Sequence, residues 1–147
     1  FRIWNLDEEK SAKEFNKKVF DKINETFDSN INIDEIYKEK PKNIRIARKI
    51  FFNFDEYFSW PSLENEIVSK TGFCYGLDSH FGILVNGDVI PCCLDQNACV
   101  KLGNTNSTQI SDILNSKRVK DIQKGFKNNI LVEELCQKCE YRTRFDK

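Results

Sequence analysis

The sequence predicts an α+β chain: a β-hairpin and short helices around one metal centre, preceded by a strand–helix–strand segment. Three observations carry this. Apolar runs on either side of Asn86-Gly87 mark a hairpin between Phe81 and Pro91. Residues 7–27 and 116–127 repeat apolar side chains at helical spacing. All six cysteines lie at or after residue 74.

Size and composition set the frame. A chain of 147 residues suits one domain, or a small domain with part of another, and is long enough to bury a core. Charged residues make up 31%, which suits solvated helix faces. Lys plus Arg equals Asp plus Glu at 23 each, so no basic face argues for nucleic acid or anionic lipid. No apolar run approaches the length of a membrane span. Phe1 opens a strand-like segment and not a basic, apolar leader, so the expected setting is cytoplasmic. The chain contains no Met, from which we expect a piece of a longer protein. In a cytoplasmic setting, clustered cysteines suggest metal binding or redox chemistry before disulfides.

Taken in order, Phe1–Leu6 is rich in β-branched and aromatic residues and reads as a strand. Asp7–Phe27 reads as a helix. Asp7, Glu8 and Glu9 sit in its first turn, and Phe15, Val19, Ile23 and Phe27 form its apolar stripe beside Ala12 and Phe20. A polar connection follows, with a short helical turn at Ile33–Tyr37, and Pro41 ends it. Ile44, Ile46, Ile50, Phe52 and Phe54 share one parity, so 44–54 reads as a half-exposed strand and the whole as a βαβ-like unit. Ser59-Trp60-Pro61 is a turn, 63–70 a short helix or linker, and Thr71-Gly72 a break. We place a domain boundary there, giving segments 1–73 and 74–147. Trp4 and Trp60 are expected in the core.

In the second segment, Asn-Gly favours positive φ at both central turn positions, hence a type I′ hairpin. The return strand then carries Cys92 back towards Cys74, and Pro91 ends the ladder. Val100 and Leu102 suggest a short strand. Helices are expected at 108–115, capped by Asn106 or Ser107, and at 116–127, with Val119, Ile122 and Phe126 inward. Leu131, Val132 and Leu135 lead the chain into a terminal CxxC.

Four cysteines are candidate ligands of one centre: Cys74, Cys92, Cys136 and Cys139. A CxxC turn can aim both thiolates at one metal group, and the hairpin supplies the other pair. Four thiolates match either a tetrahedral zinc site or a 4Fe-4S cluster, and soft sulfur does not choose between them. A redox CxxC of thioredoxin type fits poorly, because the motif does not follow a strand in a βαβ unit. Cys93 should face away from Cys92 as a packed thiol, and Cys99 lies in a loop; either is a possible substitute ligand. His80, the one histidine, is a hydrogen-bond donor to a ligand, a spare ligand, or a surface or capping residue. Asp95 either orients a ligand or closes a turn. Arg142 and Arg144 either offset the charge of the centre or form a solvated tail.

The pattern Cys74, then GILVNGDVIPCCLD, LGN, SDILNS and Cys136-x-x-Cys139 resembles the auxiliary-cluster domain at the C-terminus of radical S-adenosylmethionine enzymes, called SPASM in full form and twitch when truncated. The resemblance is strong over 74–147. The full form continues after its CxxC with two further cysteines; here Phe145 and beyond are not cysteine, which implies one cluster, held by Cys74, Cys92, Cys136 and Cys139. Residues 1–73 more loosely resemble the edge of a partial (β/α)6 barrel and its connector. The resemblance implies an auxiliary 4Fe-4S cluster that transfers electrons or positions a peptide or small-molecule substrate in an oxidoreductase or peptide- or protein-modifying enzyme. The CxxxCxxC that binds the cluster cleaving S-adenosylmethionine does not occur here. That cofactor and a second 4Fe-4S cluster are thus implied only for a separate N-terminal core, the main partner, without which this chain should be inactive. Backbone amides near Gly87 and at 92–95 are the implied N–H donors to sulfur. The rival reading is a structural four-cysteine zinc module that mediates interactions.

Overall fold

A computed structural model describes residues 1–6 and 12–145. The chain is mixed α+β, with two small three-stranded sheets and short helices. It divides into two compact units, residues 1–57 and 58–147. Residues 58–73, read from sequence as connector, belong to the second. Among the described residues no helix is long and apolar enough to cross a membrane.

In the first unit, strand β1 (Arg2–Ile3) pairs in parallel with β3 (Ile50–Phe54), and β2 (Asn43–Ala47) pairs with β3 in antiparallel fashion. Helices α1 (Lys13–Phe27) and α2 (Ile33–Glu39) lie between β1 and β2 in sequence. The expected single strand over 44–54 is therefore a hairpin. Its corner is closed by the Arg45 guanidinium, which donates to the carbonyls of Ala47 and Arg48. The common parity of Ile44, Ile46, Phe52 and Phe54 survives, because the two arms share one inward face.

Phe20, Phe52 and Phe54 form the centre of this core, with Phe20–Phe52 and Phe52–Phe54 centroids 5.0 and 5.1 Å apart. Helix α1 buries Asn16, Phe20 and Ile23, while Phe15 is exposed. The expected stripe is thus rotated by about one residue. Asn16 can occupy the buried face because its amide donates to Tyr37 Oη at 2.9 Å and to Asn5 Oδ1 at 3.3 Å. The acidic first turn expected at Asp7, Glu8 and Glu9 lies outside the described residues. Helix α2 extends the expected turn, with the Asn32 side chain accepting from the Asp34 N–H. Trp4, beneath the Arg2 guanidinium, is exposed and does not enter the core.

In the second unit, β4 (Gly82–Ile83), β5 (Asp88–Ile90) and β6 (Gly103–Asn104) form an antiparallel sheet with β5 central and buried. The hairpin is where the sequence puts it, but its turn differs. Leu84 N–H bonds Asp88 O and Gly87 N–H bonds Leu84 O, leaving three residues in the loop. Gly87 alone takes positive φ, at 86°. This is a tight turn with a left-handed glycine and not type I′. Asn86 spends its side chain locally instead: Oδ1 accepts from the Asp88 N–H, and Nδ2 donates to Asp88 Oδ2. The expected strand at Val100–Leu102 forms instead at Gly103–Asn104, just beyond it, although Leu102 N–H already bonds Val89 O.

Helix α3 (Ile110–Leu114) follows Gln109, with no side-chain cap; Asn106, expected there, instead donates to Asn86 O at the hairpin tip. Helix α4 (Lys117–Lys127) is capped by Ser116, which accepts from the Val119 N–H, and buries Val119, Ile122, Gly125 and Phe126. These pack with Leu77, Val100, Leu131 and Leu135. Helix α5 (Glu134–Gln137) carries the first cysteine of the CxxC, and a 3-10 turn spans Tyr141–Phe145. Trp60, stacked on Phe58 with centroids 5.6 Å apart, is also exposed.

Candidate metal centre

Three sequence-distant segments must meet for the cysteines to share a site, and each meeting has an identifiable cause. The first is a backbone pairing between the segments that lead to Cys74 and to the CxxC. Thr71 bridges Ile130 in antiparallel fashion, Gly72 N–H bonds Asn129 O, and Leu131 N–H bonds Lys70 O. Gln137 extends it: its carbonyl accepts from the N–H groups of Val68 and Ser69, and its side chain donates to Leu131 O. The second is Gly76. A Cβ there would lie 3.2 Å from Pro91 O and 3.7 Å from both Cys74 Sγ and Cys92 Cβ. Glycine lets the Cys74 loop sit this close to the hairpin's exit, where a side chain would push on the Pro91 carbonyl. The third is helix α4. Gln123 donates to Leu77 O, and Arg118 grips the Glu133 carboxylate through two bonds of 2.8 Å, just ahead of α5.

The result is one cavity of about 60 Å³ whose wall includes Cys74, Cys92, Cys136 and Cys139. Pro61, Pro91, Leu135 and Phe145 make the rest of that wall largely apolar. Cys74 and Cys136 also pack against the core of the unit, which fixes their backbones. All six cysteines are free thiols. Among the described residues, no three His, Cys, Asp or Glu side chains converge as they stand on a point that holds one metal ion.

The electrostatics mark the four as a group. Burial pushes the Cys92 thiol up to about 12, against the N–H of Leu94; thiolates at Cys74 and Cys139 would raise it further. Burial raises Cys136 more strongly still, again with Cys74, Cys92 and Cys139 adding to the effect. Cys74 is raised by burial and partly relieved by the N–H groups of Gly76, 3.4 Å from its sulfur, and Tyr75. Cys139 is raised by burial and relieved by the N–H groups of Arg142 and Tyr141. Burial thus favours the protonated thiol at each of the four. A bound cation reverses that preference and releases the protons, because the ligand is the thiolate.

The remaining candidates are placed as follows. Cys93 is exposed and contributes to the cavity wall, whereas Cys99 is exposed and outside it. His80 is exposed on the wall, with Nδ1 2.9 Å from Ser79 Oγ. Asp95 is buried and closes a turn: its carboxylate accepts from the N–H groups of Cys99 and Val100 at 2.7 and 2.8 Å. The expected N–H donor near Gly87 is committed to Leu84 O, while Leu94, within the expected 92–95 stretch, does face Cys92. Arg142 is 2% exposed and on the cavity wall; Arg144 lies over the rings of Phe58 and Tyr141. Pro61 and Gly76 are the residues sequence reasoning missed. Pro61 has no local signal, but Gly76, two residues after a cysteine, is the kind of position where close backbone approach is expected.

Residues 74–140 match the family model of SPASM, an iron–sulfur cluster-binding domain. The match supports the SPASM part of the resemblance read from the cysteine pattern, and with it iron–sulfur cluster binding by that segment. No curated protein and no solved structure matches the chain.

Proposed function

We propose that the second unit is the single-cluster auxiliary domain of a radical S-adenosylmethionine oxidoreductase or peptide- or protein-modifying enzyme. In this reading Cys74, Cys92, Cys136 and Cys139 hold one 4Fe-4S cluster. The observation that carries it is the shared cavity: thiols from three separate segments line one apolar-walled space, and each is raised by burial in the metal-free state. A tetrahedral zinc site draws four sulfurs to one ion at about 2.3 Å each. A 4Fe-4S cluster instead gives each of the four sulfurs its own iron, and the match of residues 74–140 to an iron–sulfur cluster-binding family favours it over zinc.

The cluster supplies one-electron chemistry when bound. The chain's own contribution is placement and tuning. The apolar wall limits water, and the N–H groups of Gly76, Leu94 and Tyr141 favour thiolate at their cysteines. With all ligands from cysteine, electron transfer is favoured over direct ligation of substrate. Residues 1–57 fit the edge of a partial (β/α)6 barrel, with its parallel β1–β3 pairing in support. The partners in this reading are an N-terminal core that binds S-adenosylmethionine and a second cluster, and a peptide or small-molecule substrate. Free thiols throughout support a cytoplasmic setting.

Anaerobic reconstitution with iron and sulfide tests the assignment. The expected product is brown, with about four irons per chain and an absorption band near roughly 400 nm. Replacing any one of the four cysteines by Ser should lower iron content, whereas Cys99→Ser should not. A colourless protein binding one zinc, with no iron uptake, would establish the zinc module instead.

A further inference from the structure

We propose that Arg142 sets the potential of the centre, as a buried positive charge fixed on its wall. The inference deepens the cluster reading and rests on it. Arg142 lies just beyond the matched family segment, in the 3-10 turn that follows the CxxC. An arginine in that place is ordinarily solvated. Here it is 2% exposed, and it forms the same cavity wall as the four cysteines. Its own N–H faces Cys139, so backbone and side chain of one residue act on the same centre. Arg144, two residues on, is spent differently: its guanidinium lies 4.7 Å over the Tyr141 ring and 5.2 Å over Phe58.

The physical consequence has a definite sign. One-electron reduction adds a negative charge to a group that four thiolates already make anionic. A fixed cation nearby stabilises the reduced form more than the oxidised form, and burial keeps solvent from screening it. Arg142 therefore raises the potential. Guanidinium suits this role because it stays charged across the whole working pH range.

The test compares the reconstituted full chain with Arg142→Met and Arg142→Lys. Met keeps the apolar stem and removes the charge; Lys, assayed at neutral pH, keeps a stem and a positive charge. Midpoint potentials are read by dithionite titration with mediators, following loss of visible absorbance as the cluster is reduced and dithionite oxidised. Arg142→Met should shift the midpoint to more negative values, and Arg142→Lys should restore most of it, at equal iron content and equal circular dichroism. A merely structural role would lower iron content and leave the potential of the remaining clusters unmoved. Equal potentials in all three proteins overturn the role of Arg142 while leaving the cluster assignment intact. Failure of the wild-type chain to take up iron and sulfide overturns the assignment, and the proposal with it.

Discussion

Gly125 offers the sharpest separation between local preference and tertiary demand. It lies inside α4, where alanine is preferred over glycine by about 1 kcal/mol on helix propensity alone. Propensity therefore predicts that Gly125→Ala stabilises. The structure predicts the reverse. A Cβ there would stand 2.6 Å from Val132 Cγ2 and 2.8 Å from Ile130 O. Val132 can turn away, but the Ile130 carbonyl is backbone, held by the bridge to Thr71. Relief requires moving α4 away from 130–132, and overpacking of this kind costs about 1–3 kcal/mol. Two approaches under 3.0 Å, one of them to backbone, put the cost in the upper part of that range, at about 2–3 kcal/mol, so the net after the propensity gain is a loss of about 1–2 kcal/mol. Amide hydrogen exchange of the full chain reads it locally. The Leu131 N–H, bonded to Lys70 O at 3.0 Å, should exchange about 5–30-fold faster. Lys124→Ala, at an exposed neighbour, is the control and should leave exchange within a factor of about two. Unchanged or slower exchange in Gly125→Ala would refute the claim that the α4 contact holds the approach to the CxxC.

Three further outcomes follow from the same geometry. Gly87→Ala should cost about 1–2 kcal/mol in urea unfolding, since a left-handed φ of 86° penalises any Cβ and this one would meet Asn106 Nδ2 at 2.6 Å. A double-mutant cycle on Arg118→Ala and Glu133→Ala should return a coupling of about 1 kcal/mol, at the upper end for half-exposed pairs because both bonds are 2.8 Å and the carboxylate is mostly covered. The Asp88 carboxyl is held below its usual range by hydrogen bonds from Lys101 and then Asn104, so its contribution is present above the unfolded value near 3.8 and lost as pH falls through the lower folded value. Melting temperature should thus fall on acidification below that point, and Asp88→Asn should flatten part of the fall.

What was legible in the sequence was local. The Asn86-Gly87 hairpin, the inward face of α4 and the CxxC each depend on residues within a few positions of one another, so composition and spacing reveal them. The misses have a common cause in tertiary partners. Asn16 is buried because Tyr37, far along the chain, completes its hydrogen bonding, and Phe15 loses its expected place to that arrangement. The turn type was misjudged because Asn86 uses its side chain on Asp88 and so has no need of positive φ. Both tryptophans are expected in the core, yet Trp60 finds a stacking partner in Phe58 while half in solvent.

The cysteine cavity itself illustrates the limit best. Its four thiols could be named from spacing, but the step that unites them could not. That step is the pairing of 70–72 with 129–131, which uses main-chain groups and leaves no mark in side-chain pattern. Gly72 and Asn129 permit it by taking positive φ, at 144° and 57°, on either side of the ladder. Gly76 then supplies the close approach that the other pair needs. In the proposed centre sulfur chemistry selects the ligand type, whereas the meeting of the four cysteines depends on backbone geometry at residues that carry no thiol. Variants at Gly72 or Gly76 are accordingly expected to separate the two: thiols intact and unmodified, centre unable to assemble.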